Sequence, residues 1–104
     1  MQADFDLDTV LSVVSRFNIT DNYNNVIDLI SFISGIPNIS MTDFFTHYEP
    51  ARSHILSLYP DLDDPIYGFD SHYISTYVNN QRERFGSTIT ISVFGQPVQK
   101  RQVN

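Results

Sequence analysis

The hydrophobic positions change their period near the end of the chain. In Ser87-Thr88-Ile89-Thr90-Ile91-Ser92-Val93-Phe94, the residues Ile89, Ile91 and Val93 alternate with Thr88, Thr90 and Ser92. That is the two-residue period of a half-buried strand, carried by β-favouring residues. The residues before it follow helical spacing. Leu7, Val10, Leu11, Val14 and Phe17 predict a first helix to about Phe17, capped by Asp6 or Asp8, and Val13 widens its stripe. The β-branched residues of Thr9–Val14 also admit a strand there. Asn18 to Asn22 reads as a turn with another capping acid. Tyr23 to Ser34 predicts a second helix, with Tyr23, Val26, Ile27, Ile30 and Ile33 on one face and Leu29 and Phe32 extending it. An apolar arc this wide predicts burial on more than one side, which makes this the expected central helix. Gly35-Ile36-Pro37 is placed to end it.

Ser40 and Asp43 form an S-x-x-D capping pattern ahead of Phe44 and Phe45, so a third helix is expected from about Met41. Pro50 either kinks one helix running to Tyr59 or opens a second, shorter one. Pro60-Asp61-Leu62-Asp63-Asp64-Pro65 is the clearest break in the chain. Asp70 or Ser71 then caps a helix to about Arg84, with Tyr73, Ile74, Tyr77, Val78 and Phe85 near one face, and Gly86 ends it.

The lone strand must find a partner, because its main-chain groups cannot satisfy one another. Gly95-Gln96 fits a type II′ hairpin loop that would return the chain along Val98–Val103. Pairing with an earlier segment, or donation to another chain, are the alternatives.

Composition narrows the class. The chain has 104 residues, 41% of them hydrophobic, which is enough for a core and argues against disorder. It has no cysteine, so disulfide scaffolds and thiolate metal sites are excluded. Val26–Ile36 is too short and too polar to span a bilayer. Met1 to Asp6 has neither the basic nor the apolar region of a signal peptide, so an intracellular, soluble protein is expected. Without such a signal, the glycosylation sequons at Asn18 and Asn38 read as chance matches.

Charge is unevenly placed. Residues 1–81 carry eleven acids against Arg16 and Arg52, whereas residues 82–104 carry Arg82, Arg84, Lys100 and Arg101 against Glu83. An acidic body thus ends in a mildly basic tail. Asp outnumbers Glu ten to two and lysine occurs once, so the Glu/Lys pairs of an ordinary exposed helix face are lacking. Low lysine content also fits a surface that makes protein contacts.

Candidate chemistry is sparse. His47 and His54 would share a helical face, with Glu49 or His72 as a third zinc ligand, but Pro50 lies between them and no H-E-x-x-H motif is present. Asp61, Asp63, Asp64 and Asp70 could offer oxygens to calcium or magnesium, yet the glycine and closing glutamate of an EF-hand are missing. Ser53-His54 lacks a nucleophile-elbow context. Glu49 and Glu83 are the only glutamates available as a glycosidase pair, and no phosphate-binding glycine loop occurs. These patterns read more simply as caps, turns and surface residues, and neither enzyme activity, a metal nor a cofactor is expected. Four cations in a region of an acidic chain offer little for direct nucleic-acid binding. The acidic body instead suits a small inhibitor of a host or partner protein, acting as a nucleic-acid mimic.

The expected fold is mainly α within the α+β class. Four to five short helices form a small bundle, with a C-terminal strand or hairpin. Residues 1–94 form the expected globular domain, and residues 95–104 a basic tail or returning arm. The expected function is non-catalytic protein–protein interaction or assembly, through a protein partner or homo-oligomer. Small size, absent motifs and a composition rich in Asn, Asp, Ile and Tyr but poor in Lys resemble short phage and virus gene products. That resemblance implies a structural subunit of a larger viral assembly, acting in the host cytoplasm or the virion. The candidate partner-binding residues are Tyr67, Tyr73, Tyr77, Arg82, Arg84, Ile89, Ile91, Val93, Lys100 and Arg101, which combine hot-spot residue types with the strand and the basic end.

Overall fold

The computed structural model describes residues 1–15, 19–20, 22–62 and 71–98. In chain order these form β1 (Gln2–Asp6), α1 (Leu7–Ser15), α2 (Tyr23–Ser34), α3 (Met41–Leu58), α4 (Ser71–Phe85) and β2 (Thr88–Ser92). The fold is α+β, with helices packed beside a two-stranded antiparallel sheet.

The partner of the predicted strand is the N-terminus. β1 pairs with β2 in the register Gln2↔Ser92, Asp4↔Thr90 and Asp6↔Thr88. The period-2 reading of β2 holds from Thr88 to Ile91, where Ile89 and Ile91 are buried and Thr88 is exposed, but not at Ser92, which is buried as well. Gln2–Asp6 carried no strand signal. Its inward positions are Ala3 and Phe5, so one large side chain, Phe5 packed edge-on against Phe32 at 5.3 Å, represents the whole apolar face.

The Gly95-Gln96 hairpin loop is not formed. The turn lies one residue earlier, closed by Gln96 N–H donating to Val93 O (3.1 Å), with Gly95 at φ 81°. A loop centred on Gly95-Gln96 would need an N–H from residue 97, which is proline. Pro97 and Val98 are not in a strand, and the rest of the expected returning arm lies outside the described residues.

The second edge of β2 is occupied too. Main-chain bonds from Val93 to Met1 (3.1 Å) and from Leu7 to Ser87 (2.9 Å) bracket the ladder. They put odd-numbered positions of β2 in the hydrogen-bonded pairs, so Thr90 and Ser92 turn their main-chain groups away from β1. There α3 meets them. His54 Nε2 donates to Ser92 O at 2.9 Å and the Tyr59 hydroxyl donates to Thr90 O at 2.7 Å. Phe94 N–H donates to Ile33 O at 2.9 Å, which continues the same side onto α2. Side chains and a helix end thus do for β2 what a third strand would.

Tyr59 makes this edge sensitive to alkali. Burial raises its hydroxyl above the ordinary tyrosine pKa, and the negative charge of Asp4 adds to the rise. A pKa raised in the folded state stabilises the protein fully below the unfolded value near 10, and that contribution is lost as pH climbs through the folded value. Tyr59→Phe is therefore expected to be less stable than the parent at pH 7, by about 0.5–1.5 kcal/mol for one hydrogen bond. The gap should close above about pH 10, because the parent alone loses the bond there. Thermal melts from pH 7 to 11 read this directly, and a gap that stays constant across the series would contradict it.

The centre of the molecule is α1, not α2 as the width of the apolar arc suggested. α1 packs against each of the other elements. Leu7, Val10, Leu11, Val13 and Val14 are almost wholly buried, and so are Thr9, Ser12 and Ser15. α2 buries only Val26, Leu29, Ile30 and Ile33 and leaves Tyr23 exposed. The small hydroxyl residues of α1 read as polar in sequence, yet they let neighbours approach closely once their own hydrogen bonds are made. Ser12 Oγ donates to Asp8 O (2.8 Å) and accepts from the N–H groups of Ile19 (3.0 Å) and Thr20 (2.9 Å).

The last carbonyls of this short helix are also satisfied from outside. Tyr48 donates to Val13 O (2.9 Å) and Arg52 Nε to Val14 O (2.8 Å), from positions four apart on α3. Arg52 also places its charge at the negative end of the α1 dipole.

The cap of α2 is Asn22 and not the acid expected in that turn, Asp21, which lies outside the described residues. Asn22 caps α2 by accepting from Asn24 N–H at 3.1 Å, and Gly35 ends it at φ 73° with Gly35 and Ile36 both donating to Ser31 O. Ser40 Oγ accepts from Asp43 N–H at 3.1 Å at the start of α3. Pro50 lies inside one continuous helix rather than between two. Phe44 precedes it and Ala51 and Ile55 follow it, all three buried in the same core, so both halves of the helix are anchored by packing. Gly86 follows α4 at φ 83°, and its N–H donates to Arg82 O (2.8 Å).

Candidate functional site

The first candidates are the residues chosen from sequence, and the structure divides them. Ile89 is 5% exposed, Ile91 is fully buried and Tyr77 is 7% exposed, so these three belong to the core. Val93 is half-buried directly after β2. Arg82 donates to Asp8 Oδ1 at 3.0 Å, and Arg84 donates to Asp61 O at 3.1 Å. Both arginines sit at the surface and fasten α4 to its neighbours. Tyr73 lies in the first turn of α4. Tyr67, Lys100 and Arg101 lie outside the described residues.

The chemical candidates separate as well. Ser53 is exposed while the neighbouring His54 is buried, so adjacency in sequence does not make a dyad. A different serine stands beside that ring: Ser92 Oγ lies 3.2 Å from His54 Nε2. The proton arrangement is wrong for a nucleophile. Nε2 carries its hydrogen toward Ser92 O, the Ser92 hydroxyl donates to Gln96 O, and Ser92 is 1% exposed. A general base needs a bare nitrogen facing the hydroxyl proton. The pair ties the end of β2 to α3 instead.

His47 lines a cleft whereas His54 is buried with Nε2 on Ser92 O, and Glu49 and Glu83 are both exposed on separate helices. Among the described residues no three His, Asp or Glu side chains are grouped to hold a metal ion. Asp63, Asp64 and Asp70 lie outside the described residues.

Three surface features remain. The first is an aromatic surface where α2 begins and α3 begins. Phe44, 1% exposed, sits at its centre, with ring centroids 5.8 Å from Tyr23, 5.4 Å from Phe45 and 5.8 Å from Tyr48. Around it Tyr23 is 44% exposed, Met41 52% and Phe45 67%. Met41 and Phe45 are one helical turn apart and therefore share a face. Capped helices hold the backbone of all three residues in place, and Ile39 and Phe44 occupy the positions of a hydrophobic staple around the Ser40 cap.

The second is an apolar cleft of about 320 Å³ between α2, α3 and the turn after β2, lined by Ile33, Ser34, His47, Pro50, Ala51 and Phe94. The Phe94 ring, 60% exposed, stands over the His54 ring at a centroid distance of 5.7 Å.

The third is an acidic cleft of about 230 Å³ where β1 meets α1 and α2. Asp4, Asp6 and Asp28 line it with Phe5, Thr9 and Asn25. Asp4 also accepts from the Thr90 hydroxyl at 2.5 Å across the sheet.

Tyr23, Met41 and Phe45 were not among the sequence candidates. A signal for them exists in the Phe44-Phe45 pair. Adjacent residues on a helix point about 100° apart, so a helix covered on one side can bury one of the two and leave the other outside. Comparison of the chain with protein-family models, with curated proteins and with solved structures finds no match.

Proposed function

We propose that the protein is a non-catalytic interaction or assembly module that docks a protein partner on the surface formed by Tyr23, Met41 and Phe45. The observation that carries this is the exposure of three large apolar side chains around one buried ring. Aromatic residues and Met are enriched in the buried centres of protein interfaces, and rigid aromatic anchors dominate binding energy. Helix caps at Asn22 and Ser40 fix the backbone that carries these side chains before binding, which reduces the entropy lost on docking. The phage-like composition makes a structural subunit of a larger viral assembly the specific form of this reading.

The test is the double variant Met41→Lys with Phe45→Asp. Both positions are exposed, so folding stability should change by no more than about 0.5 kcal/mol per site. Binding to a copurifying partner, or to a second copy measured by light scattering, should weaken at least 30-fold, as loss of one anchor worth about 2 kcal/mol implies. Unchanged association in the folded variant defeats this surface as the docking site. The basic tail is tested separately by ending the chain after Val98. A cut before Gly95 would also remove Gln96, whose side chain accepts from the Met1 ammonium at 2.9 Å and whose carbonyl accepts from Ser92.

The acidic cleft favours a second reading, a small inhibitor that occupies a basic partner surface. Replacing Asp6 and Asp28 by Asn should then weaken binding and flatten its dependence on salt between 50 and 500 mM. Binding that ignores both salt and these substitutions would rule it out.

A further inference from the structure

We draw no further inference here: the strongest candidate, the apolar cleft that Ile33, Pro50, Ala51 and Phe94 line between α2, α3 and the turn after β2, is an unpartnered apolar surface, and nothing in the structure shows what covers it.

Discussion

Phe44→Ala is expected to cost the fold about 3–5 kcal/mol, as deletion of a buried aromatic ring does when its surroundings collapse only in part. Phe44 is 1% exposed and touches rings on both sides of the α2–α3 contact. Removing it leaves Tyr48 without one wall, and Tyr48 is the residue that donates to the last turn of α1. The damage should therefore spread from α3 into the central helix. A domain of this size has about 5–15 kcal/mol in total, so the variant is marginal or unfolded at 37 °C. Phe44→Leu keeps most of the volume and serves as the milder version for denaturation in urea. The neighbour provides the contrast. Phe45→Ala removes an exposed ring and should stay within about 0.5 kcal/mol of the parent, while losing partner affinity. A Phe44→Ala loss under 1 kcal/mol would mean that the ring is not packed as the geometry has it.

The Phe44-Phe45 pair also marks how far the sequence could be read. Helical spacing identifies α3, and the Ser40 cap sets its start, because both depend on residues a few positions apart. Spacing does not say which of two adjacent phenylalanines faces the core, since that depends on where α1 and α2 lie. The same limit hid β1. Its strand character comes from pairing with residues nearly ninety positions away, and Asp4 and Asp6 are poor strand formers on their own.

β2 was legible because its alternation is carried by β-branched residues, and α2 because its caps are local. The partner of β2 was not, because the same hydrophobic face would serve in cis or in trans. Burial decided it: Ile89 and Ile91 are covered by the protein's own core, and His54 of α3 and the C-cap residue Tyr59 take the outer carbonyls of Ser92 and Thr90. The candidate site shifted for the same reason. Arginines and tyrosines are frequent at interfaces, but here Tyr77 is buried and the exposed Arg82 and Arg84 make bonds within the chain, and residue type alone does not foretell either.

The hydroxyl of Ser12 is where this hidden polar architecture is most exposed to test. It is 4% exposed, and its oxygen accepts two main-chain N–H groups from the segment that follows α1. Ser12→Ala removes the acceptor and leaves both donors behind, one of them on the buried residue Thr20. An unsatisfied buried donor costs about 1–3 kcal/mol. Alanine is the better helix former and returns a few tenths of that. The expected net loss is about 1–3 kcal/mol, above the change for an exposed serine such as Ser53→Ala, which should stay within about 0.5 kcal/mol. The loss should also be local first. Hydrogen exchange at the Ile19 and Thr20 amides should accelerate at least tenfold under conditions where the amides of α2 remain protected. A Ser12→Ala protein that keeps its stability and its slow exchange at both amides would show that another group holds that segment, and the central place given to α1 would then rest on its apolar packing alone.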